Sequence, residues 1–210
     1  MKRKKVPSAI GRPRAFDLEK ALHQGMQVFW RKGYLGASLS DLTDAMGINR
    51  PSLYAAFGNK KSLFRKALGH YAKGPSCYLS QALQEPTAHA VVERLLHGVV
   101  DLLTDPRTPT TCLWVHGALS CGDDSLRDEF AAQRAAGLAE LRARFKRAVA
   151  DGDLAPNSDS DTLAHYVQTI NFGLTVQAST GATRKELLRM VGLVLKTFAK
   201  CSAQKSGRHN

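Results

Sequence analysis

Apolar residues recur at steps of three and four positions along most of this 210-residue chain, which is the spacing of one helical face. No alternating pattern typical of a strand reaches any length, and no internal repeat is present. The first predicted helix is capped by Asp17 and ends at Gly33, and another, bent near Gly74–Pro75, runs toward Ser80. Further helices are predicted at 91–103, 112–121, 123–150, 159–180 and 184–201. The predicted fold class is therefore all-α.

The stretch from Ser38 to Lys60 has the pattern of two short helices joined by a tight turn, with a third helix behind them. Ser38 and Asp41 have the spacing of a capping box at the start of the first helix. Gly47 provides the left-handed residue that ends it, and Asn49 is the N-cap expected for the second. This order of start and stop signals predicts a helix-turn-helix.

The outer surface of the second short helix separates two interpretations of this stretch. Arg50, Ser52, Ala55 and Ala56 are small or form hydrogen bonds, and none is bulky and apolar. A helix that enters the DNA major groove needs such a face, because its axis must approach the base edges. The alternative is an ordinary helical hairpin buried in a core, since short helix-turn-helix patterns also arise by chance.

The positive charge of the chain is confined to its first third. Residues 1–73 contain fifteen Lys and Arg against four Asp and Glu, a net of +11, whereas the remainder has fifteen against fourteen. A basic surface restricted to one module indicates binding to a polyanion. The domains expected are a basic flexible arm (1–14), a DNA-binding domain (15–74), an all-helical C-terminal domain (75–202) and a polar tail (203–210).

Composition and motifs exclude several other classes. No apolar run is long enough to span a membrane, and the basic N-terminus lacks the apolar segment of a secretory signal, so a cytoplasmic protein is expected. The four cysteines form no C-x-x-C pair and are predicted to be free thiols. No catalytic, cofactor or metal-binding motif occurs, so we predict neither an enzyme nor a cofactor or metal. The alternative functions are non-specific nucleic-acid binding and, less in keeping with the pattern, a basic helical enzyme.

The segment from Phe29 to Phe64, FWRKGYLGASLSDLTDAMGINRPSLYAAFGNKKSLF, resembles the DNA-binding region of the tetracycline-repressor (TetR) family. The resemblance covers about the first third of the chain, and its motifs are specific over that length. It implies a repressor that binds a double-stranded DNA operator as a homodimer and is released by a small-molecule effector. Two positions depart from the family pattern: Ala37 replaces a common Thr, and Lys61 replaces an acidic residue and makes the start of that helix more basic.

Geometry and the resemblance together suggest the DNA contacts. Arg50 and Ser52 are predicted to contact base edges, since a guanidinium can bind a guanine edge through two hydrogen bonds. Phosphate contacts are predicted for Ser38, Tyr54 and Lys60, two of which stand at helix N-termini. The alternatives are a half-buried packing role for Tyr54 and a solvated charge for Arg50. The complete predicted DNA-binding set is Ser38, Asn49, Arg50, Pro51, Ser52, Tyr54 and Lys60.

The resemblance implies that residues 75–202 form an effector-binding and dimerisation domain, in which the last two helices pair with their copies in a second subunit. Six apolar residues fit such a seam, and they fit a core within one chain almost equally well: Tyr166, Ile170, Leu174, Val191, Val194 and Phe198.

The effector region is predicted around the stretch from Cys112 to Cys121. Cys112 and His116 share one helical face, and a nearby imidazolium would lower the pKa of a thiol and raise its reactivity. The hypothesis is therefore a cavity that responds to a thiol-reactive compound or a soft metal ion. The simpler alternative is that both cysteines are small core residues, which leaves an apolar pocket around Trp114 and Phe145.

Overall fold

The computed structural model describes residues 16–120 and 122–203, and it is helical with no strand over these residues. The predicted basic arm, Cys121 and residues 204–210 of the predicted tail lie outside the described residues. The all-α fold class is confirmed. The helices are α1 (Leu18–Gly36), α2 (Leu39–Met46), α3 (Arg50–Phe57), α4 (Lys60–Lys73), α5 (Tyr78–Ala82), α6 (Ala88–Thr104), α7 (Leu113–Ser120), α8 (Asp124–Ala150), α9 (Ser160–Ser179) and α10 (Arg184–Ala203).

Helix α1 has the predicted start and the predicted break. The carboxylate of Asp17 accepts hydrogen bonds from the backbone N–H groups of Glu19 and Lys20, so it satisfies donors that have no partner within the helix. Gly33 leaves the helical conformation with φ 70° and ψ 177°, a region that glycine enters at little steric cost. Residues 34–36 then form a last helical turn of α1 before the chain enters α2.

The helix predicted to bend at Gly74 ends there instead. The N–H of Gly74 still donates to the carbonyl of His70, but its φ and ψ of −106° and −101° are not helical. Pro75 has no N–H and disfavours the helical conformation in the residue before it. Where a bent continuation of α4 was predicted, the chain makes a separate short helix, α5, which packs against α6.

Two clusters of buried apolar residues form the interior. One lies among α6, α8, α9 and α10 and contains Phe145 and Phe198. The other gathers the inner faces of α1 to α4 and also takes in Leu102, Cys112 and Phe130 from α6, the segment before α7, and α8. The second cluster thus crosses the domain boundary expected between residues 74 and 75. None of the described helices combines the length and the apolar character needed to cross a membrane.

Polar contacts fasten α1 and α4 to the C-terminal helices. Trp30 Nε1 donates to the backbone carbonyl of Thr111 at 2.6 Å. The Lys61 ammonium lies 2.8 and 2.9 Å from the two carboxylate oxygens of Asp123, which caps α8. Four residues further along α4, Arg65 forms an ion pair with Glu129 of α8. Lys61 was expected to make the start of α4 more basic, but Asp123 compensates its charge.

Candidate nucleic-acid interface

Local side-chain to backbone hydrogen bonds hold α2 and α3 in a helix-turn-helix. The N–H of Asp41 donates to Ser38 Oγ at 3.0 Å, and the N–H of Ser38 donates to Asp41 Oδ2 at 2.9 Å, which completes the predicted capping box. Gly47 adopts the left-handed conformation (φ 64°, ψ 32°) that turns the chain toward α3. Asn49 Oδ1 then accepts the N–H of Ser52 at 2.9 Å. All of these contacts span four residues or fewer, so the sequence pattern was sufficient to predict them.

Helix α3 presents one buried and one exposed face. Leu53 and Phe57 are buried in the second cluster, and Ser52 and Ala56 are half-buried. Arg50, Pro51, Tyr54 and Ala55 are exposed, as is Asn49 before the helix. The exposed side therefore carries a cation, a hydroxyl-bearing ring and small groups, which are suited to phosphates and base edges. This exposure is contrary to a hairpin buried in a core.

The predicted base-contacting residue Arg50 is held at the junction of α2 and α3. Its Nη2 donates to Ser40 Oγ at 3.0 Å, so the guanidinium lies beside the first turn of α2. Ser40 is exposed and was not among the predicted contact residues. Its place in the first turn of α2, two residues after Ser38, is a signal that could have identified it. Since the remaining N–H groups of Arg50 are not engaged in any other hydrogen bond within the described residues, they are available to an acceptor.

Two of the predicted phosphate contacts lie on different helices, Tyr54 on α3 and Lys60 at the start of α4. Tyr54 is 47% exposed, so part of the side chain is accessible to a phosphate and part is packed against the protein. Lys60 is the first residue of α4, and its Nζ lies 4.7 Å from the centroid of the Tyr34 ring, where the ring attracts a cation. Partial burial lowers the pKa of Lys60 from its ordinary value. A phosphate here would meet both the ammonium and the N-terminus of α4.

Ion pairs reduce the number of cations that this surface can offer to DNA. Lys32 pairs with Asp41 at 2.6 Å, and this hydrogen bond, with those from Ser38, lowers the pKa of Asp41 to about 2. Lys61 is directed toward α8. The net of +11 over residues 1–73 already subtracts Asp41 but not Asp123, so it overstates the charge that this surface presents to a polyanion.

The residues predicted to line an effector pocket lie in three different surroundings. Cys112 is buried with its Sγ 3.5 Å from the Tyr71 hydroxyl, and burial raises the pKa of the thiol. Trp114 packs its ring against Phe130 with centroids 5.9 Å apart. Phe145 lies in the first cluster against Phe198, so the structure does not bring it together with the other predicted residues. Cys121 lies outside the described residues. The increased acidity expected for the thiol is thus not found.

His116 is the predicted pocket residue that lines a cavity. This cavity, of about 490 Å³, lies between α1, the segment before α7, α7 itself and α9. A larger groove of about 650 Å³, open to solvent to a similar degree, runs between α5 and α6, and none of the predicted pocket residues lines it. Within residues 16–120 and 122–203, no three His, Cys, Asp or Glu side chains are grouped so that they could hold a metal ion.

Four of the six residues predicted for a dimer seam are buried in their own chain, which fits the alternative of an intrachain core. Leu174, Val191, Val194 and Phe198 are at most 4% exposed and belong to the core of their own chain. Tyr166 and Ile170 are half-buried against the same core. Helices α9 and α10 turn a different face outward, on which Val176, Met190 and Leu193 are 46%, 49% and 59% exposed. The four buried residues pack against other helices of their own chain, whereas Tyr166 and Ile170 keep part of their surface exposed.

The capped α2–turn–α3 unit with an exposed α3 defines a helix-turn-helix DNA-binding protein. Residues 21–67 match the family described as bacterial regulatory proteins, tetR family. The transcriptional repressor ComR of Escherichia coli (strain K12) is 28% identical over 92% of this chain and 94% of its own length. A solved cysteine mutant of the TetR family regulator CifR, in complex with 26-base-pair operator DNA, is 43% identical, with a TM-score of 0.84 over 89% of this chain and all of that one.

The chain therefore belongs to the TetR family. A structure described as a TetR regulator from Rhodococcus sp. RHA1 is 41% identical over 84% of this chain and 96% of its own, with a TM-score of 0.60. The protein is a sequence-specific DNA-binding transcriptional regulator and not an enzyme. The prediction made from the helix-turn-helix pattern and the confined charge is confirmed.

Proposed function

We propose that this protein is a homodimeric, cytoplasmic transcriptional repressor that a small molecule releases from its operator. The observation that carries the DNA-binding part is the exposed face of α3, with Arg50 held beside α2 and no bulky aliphatic side chain in the way. Arg50 and Ser52 contact base edges, and Ser38, Tyr54 and Lys60 contact phosphates. Asn49 and Pro51 set the start of α3 so that these side chains reach the groove.

The division into base and phosphate contacts is tested with operator sequences selected from random DNA. Arg50→Ala should weaken binding by about 1–3 kcal/mol and relax the preference at one base position. Lys60→Ala should weaken binding to all sequences alike and make it less dependent on salt, since one fewer counterion is released. Lys146→Ala, at an exposed position of α8, is the control for total charge and should leave specificity unchanged.

Two results would contradict this division. If Arg50→Ala and Lys60→Ala lowered affinity for every sequence equally, the separate roles would be wrong. If the unaltered protein bound random and selected DNA with the same affinity, non-specific nucleic-acid binding would replace the repressor as the proposed function.

The partner in the dimer is a second copy docked on the outward face of α9 and α10. Val176, Met190 and Leu193 expose large apolar side chains there. On the same two helices, Gly173 and Gly192 have no atom within 4 Å of the position that a Cβ would take, so another helix can approach closely. Dimerisation places two α3 helices on one DNA molecule and doubles the contacts that a single short helix can make.

Release from DNA would be transmitted through the contacts between the two halves of the chain. The second buried cluster joins α1 and α4 to α7 and α8, and the Trp30–Thr111 hydrogen bond and the Lys61–Asp123 ion pair reinforce it. A ligand that shifts α7 therefore changes the support of the helix-turn-helix. By linkage, an effector lowers operator affinity by the same factor by which DNA lowers effector affinity.

A thiol-reactive effector remains the hypothesis for Cys112. Burial raises the pKa of this thiol, so little thiolate is present while Tyr71 and α7 cover it. Reaction would require α7 to open, and a bulky adduct on Cys112 would then prevent α7 from closing against α1 and α4. In the alternative, Cys112 is a small core residue, and the effector occupies the cavity that His116 lines.

A further inference from the structure

The cavity beside His116 is bounded by both halves of the chain. Arg31 of α1 forms one side, and the others come from the segment 109–111, from α7 and from α9. Its volume of about 490 Å³ lies within the range of about 300–1,000 Å³ that is common for small-molecule sites. The residue before Arg31, Trp30, is hydrogen-bonded to the carbonyl of Thr111, which also lines the cavity. An occupant would therefore touch the joint between α1 and α7.

The polar groups around this cavity are a cation, hydroxyl groups and an imidazole, and no Asp or Glu is among the lining residues. Arg31 is exposed and makes no ion pair with any carboxylate in the part of the chain that the structure describes. Thr110 and Thr111 make no side-chain hydrogen bond with any described residue, so their hydroxyls can donate to a ligand.

The wall formed by α9 is less polar than its sequence suggests. The hydroxyl of Thr175 donates to the carbonyl of Asn171, and that of Ser179 donates to the carbonyl of Val176. Each can still accept a hydrogen bond, but neither has a hydrogen left to give. Pro109, Val115 and Val176 complete the lining with apolar surface. The donors and the positive charge thus lie toward Arg31 and the segment before α7.

We propose that this cavity binds a small organic carboxylate, with its carboxylate on Arg31 and the hydroxyls of Thr110 and Thr111 and its apolar part against Val115. A guanidinium matches a carboxylate with two parallel hydrogen bonds, and these are stronger than bonds between neutral groups. Val176 at the rim also belongs to the face assigned to the second subunit, so a partner would adjoin the mouth. Only the regulatory consequence of this binding rests on the proposed function.

Calorimetric titration of the full-length protein without DNA tests the site. The probes are butyrate, benzoate and phenylacetate, and the controls are their neutral amides, which have nearly the same shape. We expect at least one acid to bind saturably, and about tenfold or more tightly than its amide, because a hydrogen bond to a charged group is worth more than a neutral one. Equal binding of acid and amide, or no binding by any of the three acids, would overturn the proposal.

Variants locate the site. Arg31→Met should weaken the acid by about tenfold or more and leave the amide unaffected, and Arg31→Lys should retain part of the affinity. Thr111→Val removes one hydroxyl at nearly constant volume and should also weaken binding of the acid. This variant tests the site if Arg31→Met does not fold. Arg147→Met, at an exposed position near the end of α8, is the matched control. Unchanged acid binding in Arg31→Met and Thr111→Val would place the ligand elsewhere and refute the site.

A second measurement separates this inference from the proposed function. Operator affinity is determined with and without a saturating concentration of the acid that binds. Acid binding that depends on Arg31 confirms the site whether or not operator affinity changes. If the acid binds in this way and operator affinity stays the same, the carboxylate site stands, and a carboxylate at this cavity is not the effector of the proposed function.

Discussion

Helix α7 crosses α8 with no room for a methyl group at Gly117. A Cβ at this residue would lie 2.3 Å from Cζ and 2.8 Å from Cε1 of the Phe130 ring, whereas carbon atoms in contact are about 3.5–4.0 Å apart. The ring has little freedom to withdraw, since Phe130 is 6% exposed and packs against Trp114 and Phe64. Gly117→Ala therefore requires a shift of about 1 Å or more between α7 and α8.

Such overpacking lowers the free energy of unfolding by about 1–3 kcal/mol, and the better helix propensity of alanine raises it by up to about 1 kcal/mol. The matched control is Gly69→Ala, at an exposed position in α4 where no atom lies within 4 Å of a Cβ, so that only the propensity gain applies. The two variants should differ by about 1–3 kcal/mol, or about 2–12 °C in Tm for a chain of this size.

Thermal unfolding followed by circular dichroism at one protein concentration measures this difference. Phe130→Leu shortens the opposing side chain and should cost less stability when combined with Gly117→Ala than it does alone, because it relieves the clash. If Gly117→Ala were as stable as Gly69→Ala, or if the double variant showed no coupling, the close approach of α7 and α8 would be refuted.

Three further predictions follow from side chains elsewhere. Leu193→Glu should give a folded monomer, whereas Val194→Glu should not fold, because Leu193 is 59% exposed and Val194 is 3% exposed. Sedimentation measures the oligomeric state and circular dichroism measures folding. A Leu193→Glu variant that is still dimeric would refute the assigned dimer face. The hydrogen bond from Lys61 lowers the pKa of Asp123 to about 2, so Asp123→Asn should reduce the free energy of unfolding at neutral pH. In urea titrations the difference from the unaltered protein should vanish as the pH falls from about 4 to 2. A difference that stays constant with pH would exclude the ion pair as its cause. Operator release by electrophiles, peroxide, Cu(I) or Zn(II) should disappear in Cys112→Ser if that thiol is the sensor, and release that is absent or unchanged would remove the sensing role.

The local features of this protein could be read from the sequence because their causes lie within a few residues. The capping box of Ser38 and Asp41, the left-handed Gly47 and the Asn49 cap are each determined by neighbours no more than four positions away. The helix-turn-helix and the DNA-binding function followed from them and from the confined charge. At Gly74 the same reasoning fell short, because a Gly-Pro pair is compatible with either a bend or a break and only the packing of α5 against α6 decided.

The tertiary structure decided which helical faces meet one another. Helix α10 is apolar on two sides, so its sequence does not say whether Val194 or Leu193 faces the core of its own chain. Lys61 pairs with Asp123, which lies 62 positions later in the sequence. Phe145 and Trp114 are separated because they pack against different clusters of the interior. A helical pattern specifies that a stripe is buried, but the partner that buries it depends on helices far along the chain, which pack together only when the whole fold has formed.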